Sequence, residues 1–348
     1  MIDPADLIAC ASTLRTGSRS FAMASLFLPR RVRAPATALY AFCRAADDAI
    51  DLCDDKPTAL AQLRGRLDTI YGGTPTDAVD RAFAAVVADF ALPRALPEAL
   101  LEGFAWDVEA RRYADLPALI GYAMRVAGTV GVMMALLMGT RDAAMLSSAC
   151  DLGCAMQLTN IARDVGEDAR AGRLYLPLDW LRAEGLDPDA WLAEPRFGPG
   201  LDRVVQRLLA EAERLYARAE PGIARLPARC RPAIRAARLL YQGIGDAVAR
   251  AGHDSVSARA VVPMGRKLVL LSGCFLGREG ALPSPDPASD FLVGAVWPGA
   301  PAARQSLPAW QQVDEKIGWV VELFARLNEM ERVHGRPDHS TADGAAEA

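Results

Sequence analysis

The stretches RAADDAID (residues 44–51) and QLTNIARDVGED (157–168) each hold two aspartates four apart, Asp47 with Asp51 and Asp164 with Asp168, within sequence otherwise rich in alanine and leucine. On an α-helix, residues i and i+4 share a face. At about 100° per residue, Tyr40, Arg44, Asp47 and Asp51 fall within a ~60° sector, and Gln157, Asn160, Asp164 and Asp168 within ~80°. Each helix therefore carries a polar stripe several residues long, which faces water or lines a cavity. Leu158, Ile161 and Val165 already give the second helix a buried face, and the flanking YAFC (40–43) and GCAM (153–156) are not surface-like. A cavity is the better reading.

Like charges at i,i+4 weaken an isolated helix by about a few tenths of a kcal/mol. In a cavity the repulsion grows: unit charges 4 Å apart interact at about 4 kcal/mol for an effective dielectric near 20. Arg44 and Arg163 could offset it as structural ion pairs, or divalent cations could. Hard carboxylate oxygens suit magnesium, which keeps several waters and binds through carboxylates plus substrate phosphates. Two such stripes facing across a helical bundle would receive a diphosphate, with the arginines clamping its oxygens. Neutralising a diphosphate assists its departure, and an apolar remainder of the cavity would take a hydrocarbon tail. The residues alone point to metal-dependent diphosphate chemistry on a lipid-like substrate.

The rest of the chain reads as all-α. Helical periodicity recurs over 4–15, 18–27, 32–53, 58–71, 76–91, 95–112, 116–137, 142–167, 177–184, 200–225, 230–251, 256–277 and 312–333, with no alternating strand pattern. Turn-forming stretches such as GGTPTD (72–77) and EPRFGPG (194–200) separate them. Residues 1–280 read as one helical domain. Residues 281–348 read as an extension: an irregular linker, an amphipathic helix at about 312–333, and a tail of disorder-like composition.

Composition narrows the function classes. A net charge of −4 without a dense basic tract excludes a nucleic-acid surface. Seven cysteines without a CxxC pair, with three histidines, assemble no zinc spacing, and free thiols fit a reducing cytoplasm. The start, MIDPADLIAC, has no basic stretch ahead of an apolar core, so no secretory leader is expected. The longest uncharged apolar stretch, between Arg125 and Arg141, is short of the ~20 residues that cross a bilayer. The mixed charges of 312–333 favour packing on protein, leaving contact with the inner face of a membrane as a secondary role.

In order, TGSRSFAMASLFLP (16–29), RAADDAID, GYAMRVAGTVG (121–131), QLTNIARDVGED and RLYLP (173–177) resemble the squalene and phytoene synthases, over roughly residues 5–275. ALLEGFAWDVEARRY (99–113) and RAGRLYLP are most similar to the bacterial phytoene synthases of carotenoid pathways. The resemblance implies a helical bundle of the isoprenoid synthase type with a central cavity. It implies head-to-head condensation of two geranylgeranyl diphosphates through a cyclopropyl diphosphate to phytoene, with Mg2+ or Mn2+ and no NADPH. Asp47, Asp48, Asp51, Asp164 and Asp168 would hold metal and diphosphate, with Arg44, Gln157, Asn160 and Arg163 completing that shell and Asn160 itself a metal ligand. Ser18, Ser20, Tyr40 and Arg266 would contact substrate phosphate, and Tyr122 would face the reacting carbons. The catalytic set is then Arg44, Asp47, Asp51, Asp164 and Asp168 with Tyr122.

The small-residue run AGTVGVMMALLMG (127–139) is the expected wall for a prenyl tail, with Gly128 and Ala135 facing it. Its GTVG would serve a helix kink, passage of a tail, or close helix packing. His253, in RAGHDSVSARA, stands where the family usually has tyrosine, and a structural role is expected for it. Alternatives are a squalene or dehydrosqualene synthase acting on farnesyl diphosphate, or an inactive relative serving as an assembly factor. The expected partners are prenyl diphosphates and, beyond them, neighbouring carotenoid-pathway enzymes.

Overall fold

Acidic caps start two of the helices that build the site. Asp142 accepts the Met145 N–H at 3.0 Å and Asp115 the Ala118 N–H at 2.9 Å, each satisfying a donor that a helix start leaves free. The computed structural model describes residues 2–53, 55–277 and 280–296. In order come α1 (Pro4–Gly17), α2 (Arg19–Ser25), α3 (Arg30–Asp51), α4 (Lys56–Gly72) and α5 (Ala78–Phe90). Next are α6 (Ala95–Val108), α7 (Leu116–Ala123), α8 (Thr129–Leu137), α9 (Ala143–Arg170) and α10 (Leu178–Ala183). Last come α11 (Pro188–Ala193), α12 (Pro199–Arg225), α13 (Arg231–Arg250), α14 (Met264–Ser272) and α15 (Asp290–Ala295). Among the described residues there is no strand.

The core is organised around α9. Its buried residues Leu146, Cys150, Gly153, Cys154, Leu158, Ile161, Val165 and Ala169 recur at three and four, so one stripe meets α12 and α13 while its flank meets α8. α3 buries Val32, Ala36, Leu39, Phe42, Ala46 and Ile50 in the same manner, and Phe42 stacks on Phe83 of α5 with ring centroids 4.1 Å apart. Their opposite faces are free to carry the two aspartate stripes.

Between α7 and α8 the turn Met124–Gly128 is π-helical, a widened turn often found at functional sites. Just after it, α8 and α9 approach to backbone contact. A Cβ at Gly131 would overlap the carbonyl of Ala149, and one at Gly153 would overlap the carbonyl of Ala127. The GTVG run thus serves close packing beside a locally wound-out helix. Together Leu116–Leu137 are long and apolar enough to cross a membrane by length and composition, longer than the stretch bounded by Arg125, but more than half of the segment is buried inside the bundle.

Three features depart from the sequence reading. The helix expected over 256–277 begins at Met264, because Pro263 fits ahead of a helix and not within one. Residues 188–193 form α11, which the reading omitted, although Asp187 caps it and Pro188 opens it. The segment read as an irregular linker contains α15, whose Leu292 is fully buried and whose Phe291 ring lies 4.8 Å from the Arg125 guanidinium. The helix expected at 312–333 lies outside the described residues.

Gly153→Ala should lower thermal stability by about 1–3 kcal/mol, as overpacking against unyielding backbone does. Gly121→Ala, where a Cβ meets nothing within 4 Å, is the control and should leave the unfolding midpoint unchanged or raise it. Equal midpoints for the two variants would contradict the close crossing.

Candidate active site

Two cavities meet between the aspartate helices. The first, of about 600 Å³, is lined by Ser18, Ser20, Tyr40, Arg44, Asp47, Tyr122, Gln157, Asn160, Arg163, Asp164 and Asp168. The second, of about 300 Å³, is walled by apolar side chains including Leu14, Ala24, Leu28, Val130, Ala135 and Leu226. Phe21, Tyr40, Gln157, Asn160 and Tyr241 line both, so a polar chamber shares a wall with an apolar one.

The sequence-predicted site residues divide accordingly. The eleven just named for the polar chamber come together; Asp48, Asp51 and Arg266 are not on its wall. Asp48 pairs with Arg44 at 2.6 Å, and Asp51, exposed, pairs at 3.1 Å with Arg173, which does line the chamber. Arg266 is exposed while its neighbour Lys267 faces the chamber. Ala135 lines the apolar cavity as expected. Gly128 does not: a Cβ there would meet Met124 Sδ at 3.2 Å and Leu292 at 3.4 Å. His253 is outside both cavities, with Nδ1 2.6 Å from Asp202 Oδ1, at the turn that ends α13.

The charges explain each other. Burial, then the charge of Asp51, pushes Asp47 up to about 6; burial, then the charge of Asp164, pushes Asp168 up to about 7. The repulsion expected within each i,i+4 pair is therefore present. Asp164 is heavily compensated: Arg163 reaches it through Nε at 2.7 Å and Nη2 at 2.5 Å, and Arg259 through Nε at 2.8 Å and Nη2 at 3.2 Å. Asp47 has Arg44 only at 3.4 Å, and Asp168 makes no ion pair within 4.0 Å among the described residues. Two carboxylates facing one chamber are thus left short of positive charge.

A further carboxylate, Asp107 of α6, closes the chamber on the side of Tyr122. Tyr122 donates to its Oδ2 at 2.9 Å and Tyr175 to its Oδ1 at 2.8 Å. Burial outweighs those two bonds and pushes Asp107 up to about 6. The Tyr122 and Tyr175 rings stack with centroids 5.3 Å apart, giving the chamber an aromatic wall of the kind that attracts cations.

Sequence reasoning missed Asp107, Arg173, Tyr175, Tyr241 and Arg259 as site residues. Asp107 carried a legible signal: it continues the buried Leu100–Gly103–Phe104 face of α6, where a carboxylate has no business without a partner. Arg173 and Tyr175 stand in the RLYLP stretch. Arg259 lies in the non-helical segment before Pro263 and had no local signal.

The donor set fits a divalent cation. Asn160 Oδ1 is buried without a hydrogen-bond partner, and the under-compensated oxygens of Asp47 and Asp168 open onto the same chamber. Among the described residues no three acidic, histidine or cysteine side chains gather closely enough to hold an ion alone. That pattern suits magnesium, which takes one or two carboxylates and completes its shell with water and phosphate oxygens.

The pH dependence of the metal-free protein follows from Asp168. Its carboxyl titrates near 7 in the fold against an ordinary 3.8, so folding favours the protonated form. The stability this contributes is complete below about pH 4 and is lost as pH rises through 7. Asp168→Asn should therefore melt higher than the parent at pH 8 in EDTA, with the gap shrinking by pH 5. A gap independent of pH would contradict the shift.

The sequence pattern of the squalene/phytoene synthase family matches residues 14–266. A phytoene synthase of Cereibacter sphaeroides is 50% identical over 327 residues, covering 88% of this chain and 92% of its own. One of Rhodobacter capsulatus is 55% identical over 276 residues, covering 78% and 81%. Among solved structures, a dehydrosqualene synthase in complex with a ligand superposes with a TM-score of 0.72 at 33% identity, covering 78% of this chain and 95% of that one. The helical fold and paired aspartates of this chain agree with these relatives, and the chain belongs to the squalene/phytoene synthase family.

Proposed function

We propose that the chain condenses two geranylgeranyl diphosphates head to head into phytoene, releasing two diphosphates and two protons. The observation that carries this reading is the junction of an aspartate- and arginine-lined chamber with an apolar cavity through Gln157, Asn160 and Tyr40. Relatives at 50% and 55% identity that are phytoene synthases support the choice of product.

In this reading Asp47, Asn160, Asp164 and Asp168 hold magnesium or manganese, which supplies charge neutralisation of the leaving diphosphate. Arg44, Arg163, Arg173 and Lys267 present further positive charge from the wall, while Ser18, Ser20 and Tyr40 orient phosphate oxygens. The first allylic cation is attacked by the double bond of the second substrate, and loss of a proton closes the cyclopropane. Departure of the second diphosphate, rearrangement and loss of another proton leave the central double bond. The stacked Tyr122 and Tyr175 rings face the cationic carbons. Their hydroxyl protons are engaged on Asp107, so an oxygen lone pair is free to accept a substrate proton as the hydroxyl proton passes to the carboxylate.

Likeness to the solved dehydrosqualene synthase favours a second reading, in which farnesyl diphosphate gives squalene or dehydrosqualene. A purely structural role in an assembly leaves four intact motif aspartates unexplained. A cytoplasmic enzyme meeting a membrane only at its surface goes with the first reading, since a forty-carbon hydrocarbon has to leave into lipid.

Product analysis with both substrates, with and without NADPH, separates the readings. Phytoene should form from the twenty-carbon substrate without reductant. Squalene as the main product, or faster turnover of the fifteen-carbon substrate at equal concentration, would select the second. Ala135→Phe, which fills the apolar cavity, should cut the preference for the twenty-carbon chain by about tenfold, the scale expected when burial of one or two methylenes is lost.

Asp47→Asn and Asp164→Asn should each lower turnover by about a hundredfold or more, the scale seen when a group that offsets developing charge is removed. EDTA should stop diphosphate release and magnesium restore it. Turnover indifferent to chelation after exhaustive dialysis would sink the metal assignment.

A further inference from the structure

Arg125, in the π-helical turn between α7 and α8, holds a group beside each partner of the Tyr122–Asp107 hydrogen bond. Its Nη1 donates to the carbonyl of Gly121, next to Tyr122, at 3.0 Å. Its guanidinium lies 4.3 Å from the ring of Trp106, next to Asp107, at cation–π distance. Glu102, one turn before Trp106 on α6, is 3.0 Å from its Nε. The turn and α6 also meet at Gly103, where a Cβ would lie 2.5 Å from Val126 and 3.1 Å from the Arg125 Cβ. Arg125 thus ties the end of α7, which carries Tyr122, to the end of α6, which carries Asp107. It is on the wall of neither cavity.

α15 reaches the same spot from beyond residue 266, where the family's sequence pattern ends. The segment ahead of it is pinned to the bundle. Arg218 donates to the Ser284 carbonyl at 3.1 Å, and Ser147 Oγ of α9 accepts the Asp286 N–H at 3.0 Å. Those bonds deliver Phe291 to 4.8 Å from the Arg125 guanidinium. They also deliver the fully buried Leu292 to Gly128, where a Cβ would meet it at 3.4 Å. A π-helical turn is a rare local form, and this one is held at Arg125 by α6 and Phe291 and at its last residue by Leu292.

We propose that Arg125 is a positioning residue for the reaction and that α15 is the clamp that holds it, the two together setting the separation of Tyr122 and Asp107. This rests on the reading that the pair accepts the protons lost by the condensing substrates. A hydroxyl proton passes to a carboxylate only within hydrogen-bond reach, and the pair stands at 2.9 Å. Because Arg125 does not face the substrate chambers, loosening it leaves diphosphate and tail binding in place and slows proton removal.

The two lost protons come one from C1 of each substrate, since those carbons end joined by the central double bond. The test follows single-turnover phytoene formation by the full chain with Mg2+, using geranylgeranyl diphosphate and its 1,1-dideuterated form, with the unfolding midpoint measured alongside. Arg125→Gln should slow the turnover about tenfold or more, as misplacement by a fraction of an ångström does. Its steady-state KM should stay within about twofold of the parent's, and its deuterium isotope effect should be larger. Phe291→Ala should act in the same direction by about threefold, the scale of a partly exposed cation–π contact, while Phe291→Tyr, which keeps a ring at the guanidinium, should match the parent. A slower rate with an unchanged isotope effect would mean a merely structural contact, and a raised KM at unchanged rate a binding role; either overturns the proposal, as does a Phe291→Ala that behaves like the parent. If Arg125→Gln does not fold, Phe291→Ala, at a residue 41% exposed, still decides. Asp107→Asn with the parent's rate and isotope effect would instead overturn the proton-accepting reading beneath it.

Discussion

Carboxylates held against hydrophobic helices must each be offset, and the polar end of this bundle is arranged around that constraint. Asp164 takes Arg163 and Arg259, Asp48 takes Arg44, Asp51 takes Arg173, and Asp107 takes two tyrosine hydroxyls. Asp47 and Asp168 receive least and show it, each pushed up by burial and by its helical neighbour. An ordinary protein core would replace such residues, since buried charge without a close partner is costly. Keeping them makes sense where a cationic ligand completes the arrangement, and stability is given up locally for a site that is complete only when loaded.

The same helix, α9, is both the spine of the core and a wall of the chamber. Its apolar stripe fixes its rotation against α12 and α13, and that rotation is what aims Gln157, Asn160, Asp164 and Asp168 together. α3 repeats the arrangement from the other side, with Phe42 anchored on Phe83 while Tyr40, Arg44 and Asp47 look inward. Positioning of the polar residues is a by-product of hydrophobic packing, and needs no dedicated scaffold.

What could be read from sequence was what repeats at helical spacing. The aspartate stripes, the paired arginines and most helix spans follow from periodicity and capping, and even α11 was announced by Asp187 and Pro188. What could not be read depends on segments far apart in the chain. Arg259 is brought to Asp164 by a segment that packs on Gly166, whose N–H donates to the Ser255 carbonyl, and nothing near residue 259 says so. Arg266 and Lys267 stand side by side, yet helix rotation at α14 turns only Lys267 to the chamber. α15 escaped because its short apolar run follows prolines and serines, and it packs largely on α6, α8 and α9, which it does not adjoin in sequence.

The contact between α8 and α9 has a bearing on how the apolar cavity can change over time. Where Gly131 and Gly153 meet main-chain carbonyls across the crossing, that patch of the wall is main chain with Ala127 and Ala149 beside it, while Val130, Met134, Leu152 and Met156 line the cavity around it. At the crossing itself, substitution can add bulk but has almost nothing left to remove. Evolution toward shorter occupants is a single step away at many positions. Evolution toward longer ones has to come away from the crossing, by trimming larger side chains such as Met134, Leu152, Leu14 or Leu28, and the crossing is in that sense a ratchet with one easy direction.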